Sequence, residues 1–290
     1  MDSLDRADFF ANLKPGGKYE HTVAIFRANE SAKRVGIFDR ALIDALPPTV
    51  RWIAHNGAGY DPIDVKACKE KGTPCQFLNY SGPRPRYLIR MTNIRFPAGI
   101  IVSNTPIAVD DATATTALYL MISTFRHFSK VERSLRATRW RGDISPSLTH
   151  DLTGKTLAIL GLGGIGFRLA ELARAFPMRI IYHSRKKVLG APDWCEYFGQ
   201  ERLGEFLGLA DVLSVHVPLR PDTEGLVNEE MIRKLKKGAI LVNTARGKII
   251  DEAAVIKALE DGHVSIYQTI TLTTRLMTLE AGCCGIGCVP

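Results

Sequence analysis

A glycine-rich turn is the stretch of this sequence with the most recognisable chemistry. Gly161, Gly163 and Gly166 stand in the spacing G-x-G-x-x-G, directly after the apolar run Thr156–Leu160. The first glycine allows a tight turn, the second lets the backbone approach a pyrophosphate, and the third lets a helix pack closely on the strand. Apolar residues then recur at helical spacing, so the helix should present its N-terminus to phosphate groups. The pattern predicts dinucleotide binding by Gly161, Leu162, Gly163, Gly164, Ile165 and Gly166.

The end of the next predicted strand bears on the choice of cofactor. Sites specific for NAD place Asp or Glu about 20 residues beyond the glycines, where the carboxylate accepts from the ribose 2′-OH. Here the stretch reads Ser184-Arg185-Lys186-Lys187, with no acid. Arg185 could pair with a 2′-phosphate that Ser184 caps, with Lys186 beside them. We therefore predict NADP(H) as the preferred cofactor, with NAD(H) possible; a solvated basic turn is the alternative.

A second glycine-containing loop, Gly57-Ala58-Gly59, follows the predicted strand Trp52–Asn56. Glycines just beyond the carboxyl end of a strand in an open α/β sheet expose backbone N–H groups, which commonly bind anions. The sequence leaves two interpretations open here, an anion-binding loop and a plain connection.

Strand-like and helix-like segments alternate through most of the chain, which is typical of α/β folds. The part that begins with the glycine turn predicts a doubly wound parallel sheet of the Rossmann type. The run Asp211–Leu219 is almost continuously apolar, as expected for a strand covered by helices on both faces. Residues from Asp110 to about Arg139 read as one long helix. On its own, His216 would more often be a packed structural histidine than a ligand.

Composition excludes several classes of function. Of 290 residues, 46% are hydrophobic and 23% are charged, which is ordinary for a globular protein, and two domains fit this length. The net charge of +8 comes from scattered residues without a groove-reading motif, so we expect no nucleic-acid partner. No run reaches the length of a membrane span and no export signal is present, so we expect a cytoplasmic protein without membrane contact. The six cysteines do not complete a zinc spacing, so we predict no metal.

Several motifs in a fixed order resemble the D-isomer-specific 2-hydroxyacid dehydrogenases, most closely the glyoxylate/hydroxypyruvate reductase branch. They are the glycine turn together with Gly57–Asp61, Ser103–Pro106, His216–Leu219 and Asn243–Gly247. The resemblance implies a flavodoxin-like substrate domain beside the Rossmann domain, a cleft between them, and usually a homodimer. It also implies reduction of a small 2-oxo acid to the D-2-hydroxy acid by hydride transfer from the nicotinamide.

The resemblance also assigns roles to individual residues. Arg246 would hold the substrate carboxylate and stabilise the charge that develops on the carbonyl oxygen, since its planar fork can bind both groups. Ala58 and Gly59 would donate backbone N–H groups to the carboxylate. The remaining positions would contact the cofactor, the nicotinamide through Thr244 and Ala245 and the adenosine through His216, Val217, Pro218 and Thr223.

Two segments depart from the family pattern. We assign residues 1–125 to the substrate domain, with an anomalous insert at 73–99, and residues 126–264 to the NAD(P)-binding domain. The tail 265–290 replaces the family's C-terminal part, so the expected catalytic histidine and its carboxylate have no match and the substrate domain is incomplete. We interpret both segments as translated introns, which transcript sequencing can test; a genuinely divergent tail is the alternative.

Three functions therefore stay open from the sequence. The first is 2-oxo-acid reduction by a chain that lacks the histidine and its acidic partner and could be inactive. The second is an NAD(P)-sensing binding module, like the corepressors built on the same fold. The third is a nonfunctional product of the gene model.

Overall fold

The computed structural model describes residues 5–71, 100–140, 144–145, 147, 149–270 and 286–288. Two compact units divide the chain between Val109 and Asp110. The predicted insert 73–99 lies outside the described residues. Much of the tail 265–290 does as well, apart from residues 265–270 and 286–288. The predicted domain limits, which assign residues 110–125 to the first domain, stay a prediction.

The first unit contains a parallel three-stranded sheet in the order β1-β2-β3. Its strands are β1 (Ala24–Arg27), β2 (Trp52–His55) and β3 (Ile101–Ser103), and its helices are α1 (Arg6–Leu13), α2 (Arg40–Ala45) and α3 (Val65–Glu70). Each helix begins at an aspartate whose carboxylate accepts a backbone N–H of the first turn; these caps are Asp5, Asp39 and Asp64. Helices and strands enclose one apolar core that includes Leu42, Ile43, Ile53 and Val102.

The second unit is built on a seven-stranded parallel sheet in the order β10-β9-β8-β7-β4-β5-β6. The strands are β4 (Thr156–Leu160), β5 (Arg179–His183), β6 (Cys195–Phe198), β7 (Val212–Val215), β8 (Ala239–Asn243), β9 (Val264–Thr269) and β10 (Ile286–Cys288). The helices are α4 (Asp110–Phe125), α5 (Phe128–Arg136), α6 (Gly164–Ala173), α7 (Leu203–Leu209), α8 (Glu229–Arg233) and α9 (Glu252–Glu260). Strand order reverses at β4, which is the doubly wound Rossmann arrangement predicted from the sequence.

Apolar residues lie on both faces of this sheet. Ala158 and Leu160 of β4 pack into a core on one face, while Leu157 and Ile159 pack into a second core on the other. All four side chains are nearly inaccessible, which explains why the strand is a continuous apolar run rather than an alternating one. Burying each of the larger side chains contributes about 1.5–3 kcal/mol to the stability of the fold.

The prediction of one long helix from Asp110 to Arg139 is wrong. The helix α4 ends at Phe125 and α5 begins at Phe128, with His127 between them in the left-handed conformation at φ 51°. Histidine enters that region more readily than most residues, and a left-handed residue ends the helical hydrogen-bond pattern. The spacing of apolar residues continues across the break, so the sequence pattern could not reveal it.

The strand β9 lies in parallel beside β8, with Ile240 next to Ile266 and Asn243 next to Thr269. The segment that starts at Ser265 therefore occupies the edge of β8. Tyr267 is 1% exposed and belongs to the core cluster of this sheet, and its hydroxyl lies 3.4 Å from Nδ2 of Asn243.

We predict that Tyr267→Ala lowers the free energy of unfolding by about 3–5 kcal/mol, as aromatic truncations in packed cores do. The matched control is Ser265→Ala on the exposed side of the same strand, which removes only one long hydrogen bond, 3.3 Å from Oγ to the carbonyl oxygen of Ala239, and should lower stability by about 1 kcal/mol at most. Denaturant melts of both variants give the comparison. Equal, small losses would mean that β9 does not pack on the sheet.

Candidate functional site

The glycine turn connects β4 to α6, and the geometry explains each glycine separately. Gly161 has φ +97°, and a Cβ there would lie 2.9 Å from Cγ1 of Val217. A Cβ on Gly166 would overlap the carbonyl oxygen of Gly161, so only glycine lets α6 approach β4 this closely. Gly163 has open space around its Cα. The turn thus leaves room at the one glycine where a pyrophosphate would approach.

The other residues of the turn have different surroundings. A Cβ on Gly164 would overlap the carboxylate of Asp110, the first residue of α4. Leu162 is 5% exposed and joins the apolar core under the turn, and the partly buried Ile165 packs against the same core. Their side chains hold the turn on the sheet, which leaves only the backbone to bind phosphate.

The basic stretch after β5 lies at the carboxyl edge of the same sheet. Ser184 donates its hydroxyl to the carbonyl oxygen of Lys186 at 2.7 Å, which closes a tight turn. Arg185 and Lys186 are exposed, and Nη1 of Arg185 lies 3.8 Å from Oδ2 of Asp222. Asp222 also accepts from Nη2 of Arg220 at 2.8 Å. The local sequence pattern does not reveal this acid, because Asp222 comes from the loop after β7, a different part of the chain.

The loop after β7 is held by its own side chains. His216 is half-buried with Nε2 2.8 Å from Oγ of Ser214, and desolvation lowers its pKa to about 4. The ring is therefore neutral at physiological pH and is not a proton donor there. Thr223 accepts from the backbone N–H of Arg220 at 2.8 Å and donates to the carbonyl of Pro218 at 2.6 Å. Thr223 thus shapes the loop on which Val217 and Pro218 lie.

The turn after β8 is fixed by the buried side chain of Asn243. Its Oδ1 accepts from the backbone N–H of Ala245 at 3.0 Å, and its Nδ2 donates to the carbonyl of Arg246 at 2.9 Å. Thr244 is 5% exposed and its Oγ1 has no hydrogen-bond partner among the described residues. Arg246 is half-buried, and Nη1 donates to the carbonyl of Ala245 at 2.9 Å. The asparagine thus orients both residues that follow it.

These groups share one edge of the second unit's sheet. Because β4, β5, β7 and β8 are parallel neighbours, the glycine turn, the basic stretch, the loop after β7 and the Arg246 turn all follow carboxyl ends. The strand order reverses at β4, because β5 lies on one side of it and β7 on the other. This reversal makes a crevice at the carboxyl edge, where open α/β sheets bind ligands. The unpartnered Thr244 hydroxyl and the open space at Gly163 fit a dinucleotide in that crevice.

The loop Gly57–Gly59 lies in the first unit, and its three carbonyl oxygens are each held by a different group. The backbone N–H of Thr105 donates to the Gly57 oxygen at 3.0 Å, and Nδ2 of Asn104 donates to the Ala58 oxygen at 2.7 Å. Nε2 of His55 lies 2.8 Å from the Gly59 oxygen.

Across a trans peptide the C=O and the next N–H point in opposite directions, so the contacts to the Gly57 and Ala58 oxygens also set the N–H directions of Ala58 and Gly59. Within residues 5–71 and 100–109, neither N–H donates a hydrogen bond. Both donors are thus oriented by the surrounding chain and available to an anion, which favours the anion-binding interpretation of this loop. Thr105 and Asn104 provide that orientation, and His55 holds the peptide plane after Gly59. No sequence pattern predicts these roles for the three residues.

Among the described residues, no histidine after Arg246 lies at this edge. His263 is the only histidine after Arg246 in the sequence, and it precedes β9, at the amino edge of the sheet. Its Nε2 lies 3.0 Å from the carbonyl oxygen of Ile232. The carboxyl end of β9 carries the buried residues Gln268 and Thr269. Neither residue can serve as a general acid at neutral pH.

Metal binding, a membrane-spanning helix and a reactive thiol are three further possibilities in the part of the chain that the structure describes. No group of three His, Cys, Asp or Glu side chains there could hold a metal ion, and no helix is long and apolar enough to cross a membrane. Burial raises the pKa of the Cys195 thiol to about 12, so it is not a nucleophile at neutral pH.

The fold and the glycine turn define a dinucleotide-binding dehydrogenase domain, and comparisons with known proteins give the family. Residues 118–269 match the NAD-binding domain of the D-isomer specific 2-hydroxyacid dehydrogenases, and residues 22–76 match the catalytic domain. The chain belongs to the D-isomer specific 2-hydroxyacid dehydrogenase family, whose members are oxidoreductases.

Among its relatives is 4-methyl-2-oxopentanoate reductase A of Aspergillus oryzae, 39% identical over 89% of this chain and 69% of the relative. Glyoxylate reductase 1 of Saccharomyces cerevisiae is 36% identical over 91% of this chain and 68% of the relative.

Solved structures give the same result. A glyoxylate reductase from Paecilomyes thermophila superimposes with a TM-score of 0.82 at 39% identity, over 99% of this chain and 78% of the other. An NADPH-dependent glyoxylate/hydroxypyruvate reductase from Sinorhizobium meliloti, solved with NADP and malonate, gives 0.73 at 26% identity, over 94% and 74%. These neighbours agree with the predicted fold class.

We predict that Gly163→Ala weakens NADPH binding while stability changes by less than about 1 kcal/mol, because a methyl group there meets open space until a pyrophosphate arrives. The comparison variant is Gly166→Ala, which should lower the melting temperature as well as NADPH affinity, since its Cβ overlaps a backbone carbonyl. Fluorescence titration and thermal melts measure the two effects. Unchanged NADPH affinity in Gly163→Ala would place the cofactor elsewhere.

Proposed function

We propose that this chain binds NADP(H) and a small 2-oxo acid, and that it reduces the acid to the D-2-hydroxy acid. The observation that carries the proposal is the arrangement at the carboxyl edge of the Rossmann sheet. There the open glycine turn follows β4, and the turn that carries Arg246 follows β8 of the same parallel sheet. When bound, the cofactor supplies a hydride. The residues of this chain supply binding, orientation and charge.

Arg246 is proposed to hold the substrate. A 2-oxo acid presents a carboxylate next to a carbonyl whose oxygen gains negative charge on reduction, and a planar guanidinium can donate to both groups. Asn243 fixes the backbone on either side of Thr244 and Ala245, so the arginine starts from a rigid turn. The oriented N–H groups of Ala58 and Gly59 are proposed to bind the carboxylate as well. The buried Thr244 hydroxyl and Ala245 are proposed to line the nicotinamide site.

The adenosine end is proposed to lie against the residues after β5 and β7. Val217 packs on the glycine turn, and the Thr223 hydroxyl holds Pro218 by a hydrogen bond to its carbonyl oxygen. Residues 216–218 and Thr223 are therefore proposed to form one side of the adenosine site. The exposed side chains of Arg185 and Lys186 and the hydroxyl of Ser184 are proposed to bind the 2′-phosphate. The NADPH dependence stated for the Sinorhizobium meliloti relative is consistent with this preference. NAD(H) remains a possible second cofactor.

Glyoxylate and hydroxypyruvate are the proposed substrates, and the Aspergillus oryzae relative adds 4-methyl-2-oxopentanoate to the acids worth assaying. Reduction also needs a proton for the new hydroxyl group. No histidine follows Arg246 at the carboxyl edge of the described sheet, so we propose that the proton comes slowly from water. The homodimer and the cytoplasmic location that the family resemblance implies are kept as predictions.

We predict that Arg185→Ala weakens NADPH binding by about tenfold or more, the loss of about 1.4 kcal/mol, and changes NADH binding little. Asp222→Asn should shift the preference the other way, because it removes a negative charge 3.8 Å from Arg185. Arg179→Ala is the matched control, since that exposed arginine lies at the amino end of β5. Titration of both cofactors measures the ratio. Equal losses for NADPH and NADH in Arg185→Ala would contradict the assignment.

We predict that Arg246→Lys weakens binding of oxamate to the NADPH complex by at least about tenfold, because lysine keeps the charge but not the paired donors. The exposed Lys248→Ala, two residues later, should bind oxamate normally. The unaltered chain should oxidise NADPH with each 2-oxo acid more slowly than the Paecilomyes thermophila enzyme, by a factor on the order of 10²–10⁴. Normal oxamate binding in Arg246→Lys would assign this arginine a structural role.

A further inference from the structure

A buried arginine, Arg27, ends β1 in the first unit. Its side chain is 1% exposed, and Nη1 lies 3.2 Å from Nδ1 of His55 at the end of the neighbouring strand β2. Nε and Nη2 have no hydrogen-bond partner among the described residues, and Cζ lies 5.6 Å from the centre of the Phe38 ring. A buried guanidinium with two unpaired N–H groups costs stability. Its presence therefore calls for a role other than stabilising the fold.

The contact between Arg27 and His55 determines which nitrogen of His55 carries the proton. A guanidinium can only donate, so Nδ1 of the imidazole must accept with its lone pair. The neutral ring then has its hydrogen on Nε2. That nitrogen lies 2.8 Å from the carbonyl oxygen of Gly59, which can only accept. Arginine, imidazole and carbonyl thus form a chain in which every hydrogen bond has one defined direction.

The Gly59 carbonyl is the point at which this series of hydrogen bonds reaches the loop that is proposed to bind the carboxylate. The peptide plane before Gly59 is held by Asn104, through the Ala58 oxygen, and the plane after it is held by His55. With both planes fixed, neither backbone dihedral of Gly59 can turn, although glycine is the residue with the greatest conformational freedom. Removing the His55 bond would release the second plane.

We propose that Arg27 is a positioning residue for the loop that binds the substrate carboxylate: by fixing His55 as the Nε2–H tautomer, it holds the peptide plane after Gly59, so that the loop keeps the conformation in which Asn104 directs the Gly59 N–H at the anion. This inference rests on the proposed function, because the loop is useful in this way only if a 2-oxo acid binds there. Arg27 itself does not touch the substrate, since it is buried behind the loop.

Burial and the nearby charges together favour the neutral form of the imidazole. Desolvation lowers the pKa of His55, and the positive charge of Arg27 lowers it further, whereas the exposed Asp61 and the hydrogen bond with Gly59 act in the opposite direction. Desolvation also lowers the pKa of Arg27, and the charge of Asp61 opposes this. A proton added at Nδ1 would face the guanidinium, so the ring keeps its lone pair toward Arg27.

The first test is the tautomer itself, measured on the whole chain with ¹⁵N-labelled histidine. Two-bond ¹H–¹⁵N correlation spectra distinguish a protonated from an unprotonated ring nitrogen, and His55→Asn identifies the His55 signals by their loss. We expect His55 to be protonated at Nε2 in the unaltered chain. In Arg27→Met we expect a mixture of both tautomers and a shifted backbone amide signal of Gly59.

The second test measures stability and anion binding of the same variant. Arg27→Met removes two unpaired donors, so its melting temperature should be unchanged or higher, while oxamate binding should fall roughly tenfold from loss of orientation. Arg51→Met, at the exposed amino end of β2, is the control and should leave both quantities unchanged.

The outcomes separate this inference from the proposed function. A His55 ring protonated at Nδ1, or a tautomer that does not change in Arg27→Met, would overturn it, as would normal oxamate binding by Arg27→Met. If the unaltered chain binds no oxamate but the tautomer changes as expected, the proposed function fails and control of His55 and Gly59 by Arg27 stands.

Discussion

The close approach of three backbone segments at the glycine turn is the constraint on which the second unit depends. β4 reaches its carboxyl end at Leu160, α6 must begin within a few residues, and the chain after β7 must pass beside the turn. Gly161 and Gly166 allow this because a side chain at either position would collide with Val217 or with the Gly161 carbonyl. Once these contacts are made, the direction of α6 follows, and with it the direction of the helix N-terminus. The space left at Gly163 is then a consequence of packing around it.

At the other parts of the candidate site, hydrogen bonds likewise hold the backbone in one orientation. Asn243 holds the turn that carries Arg246 by two hydrogen bonds, one accepted and one donated. The carbonyl groups of the Gly57–Gly59 loop are held by a backbone N–H, an amide and an imidazole. In each case the group proposed to bind ligand is attached to backbone that is already held in place, so less entropy would be lost on binding.

The proposed 2′-phosphate site combines cations from one short stretch of sequence with an acid from another loop. Ser184–Lys187 contains cations and no acid, which favours NADP(H). The tertiary structure adds Asp222, whose carboxylate lies 3.8 Å from Arg185 and 2.8 Å from Arg220. A phosphate would have to share these arginines with an acid. Under the proposed function, cofactor preference thus depends on a contact between two loops as well as on the motif.

The sequence by itself determined the Rossmann unit, because its signals are local. An apolar strand, glycines at fixed spacing and an amphipathic helix are contiguous, and backbone sterics give each glycine a specific role. It did not determine the break at His127, since apolar spacing continues through a single left-handed residue. Only the tertiary structure decided that Asn104 holds Ala58, that Arg27 meets His55, and that Asp222 meets Arg185. These partners come from separate strands and loops. Parallel strands bring their carboxyl ends together at one edge of a sheet, and a local sequence pattern does not show which residues meet there.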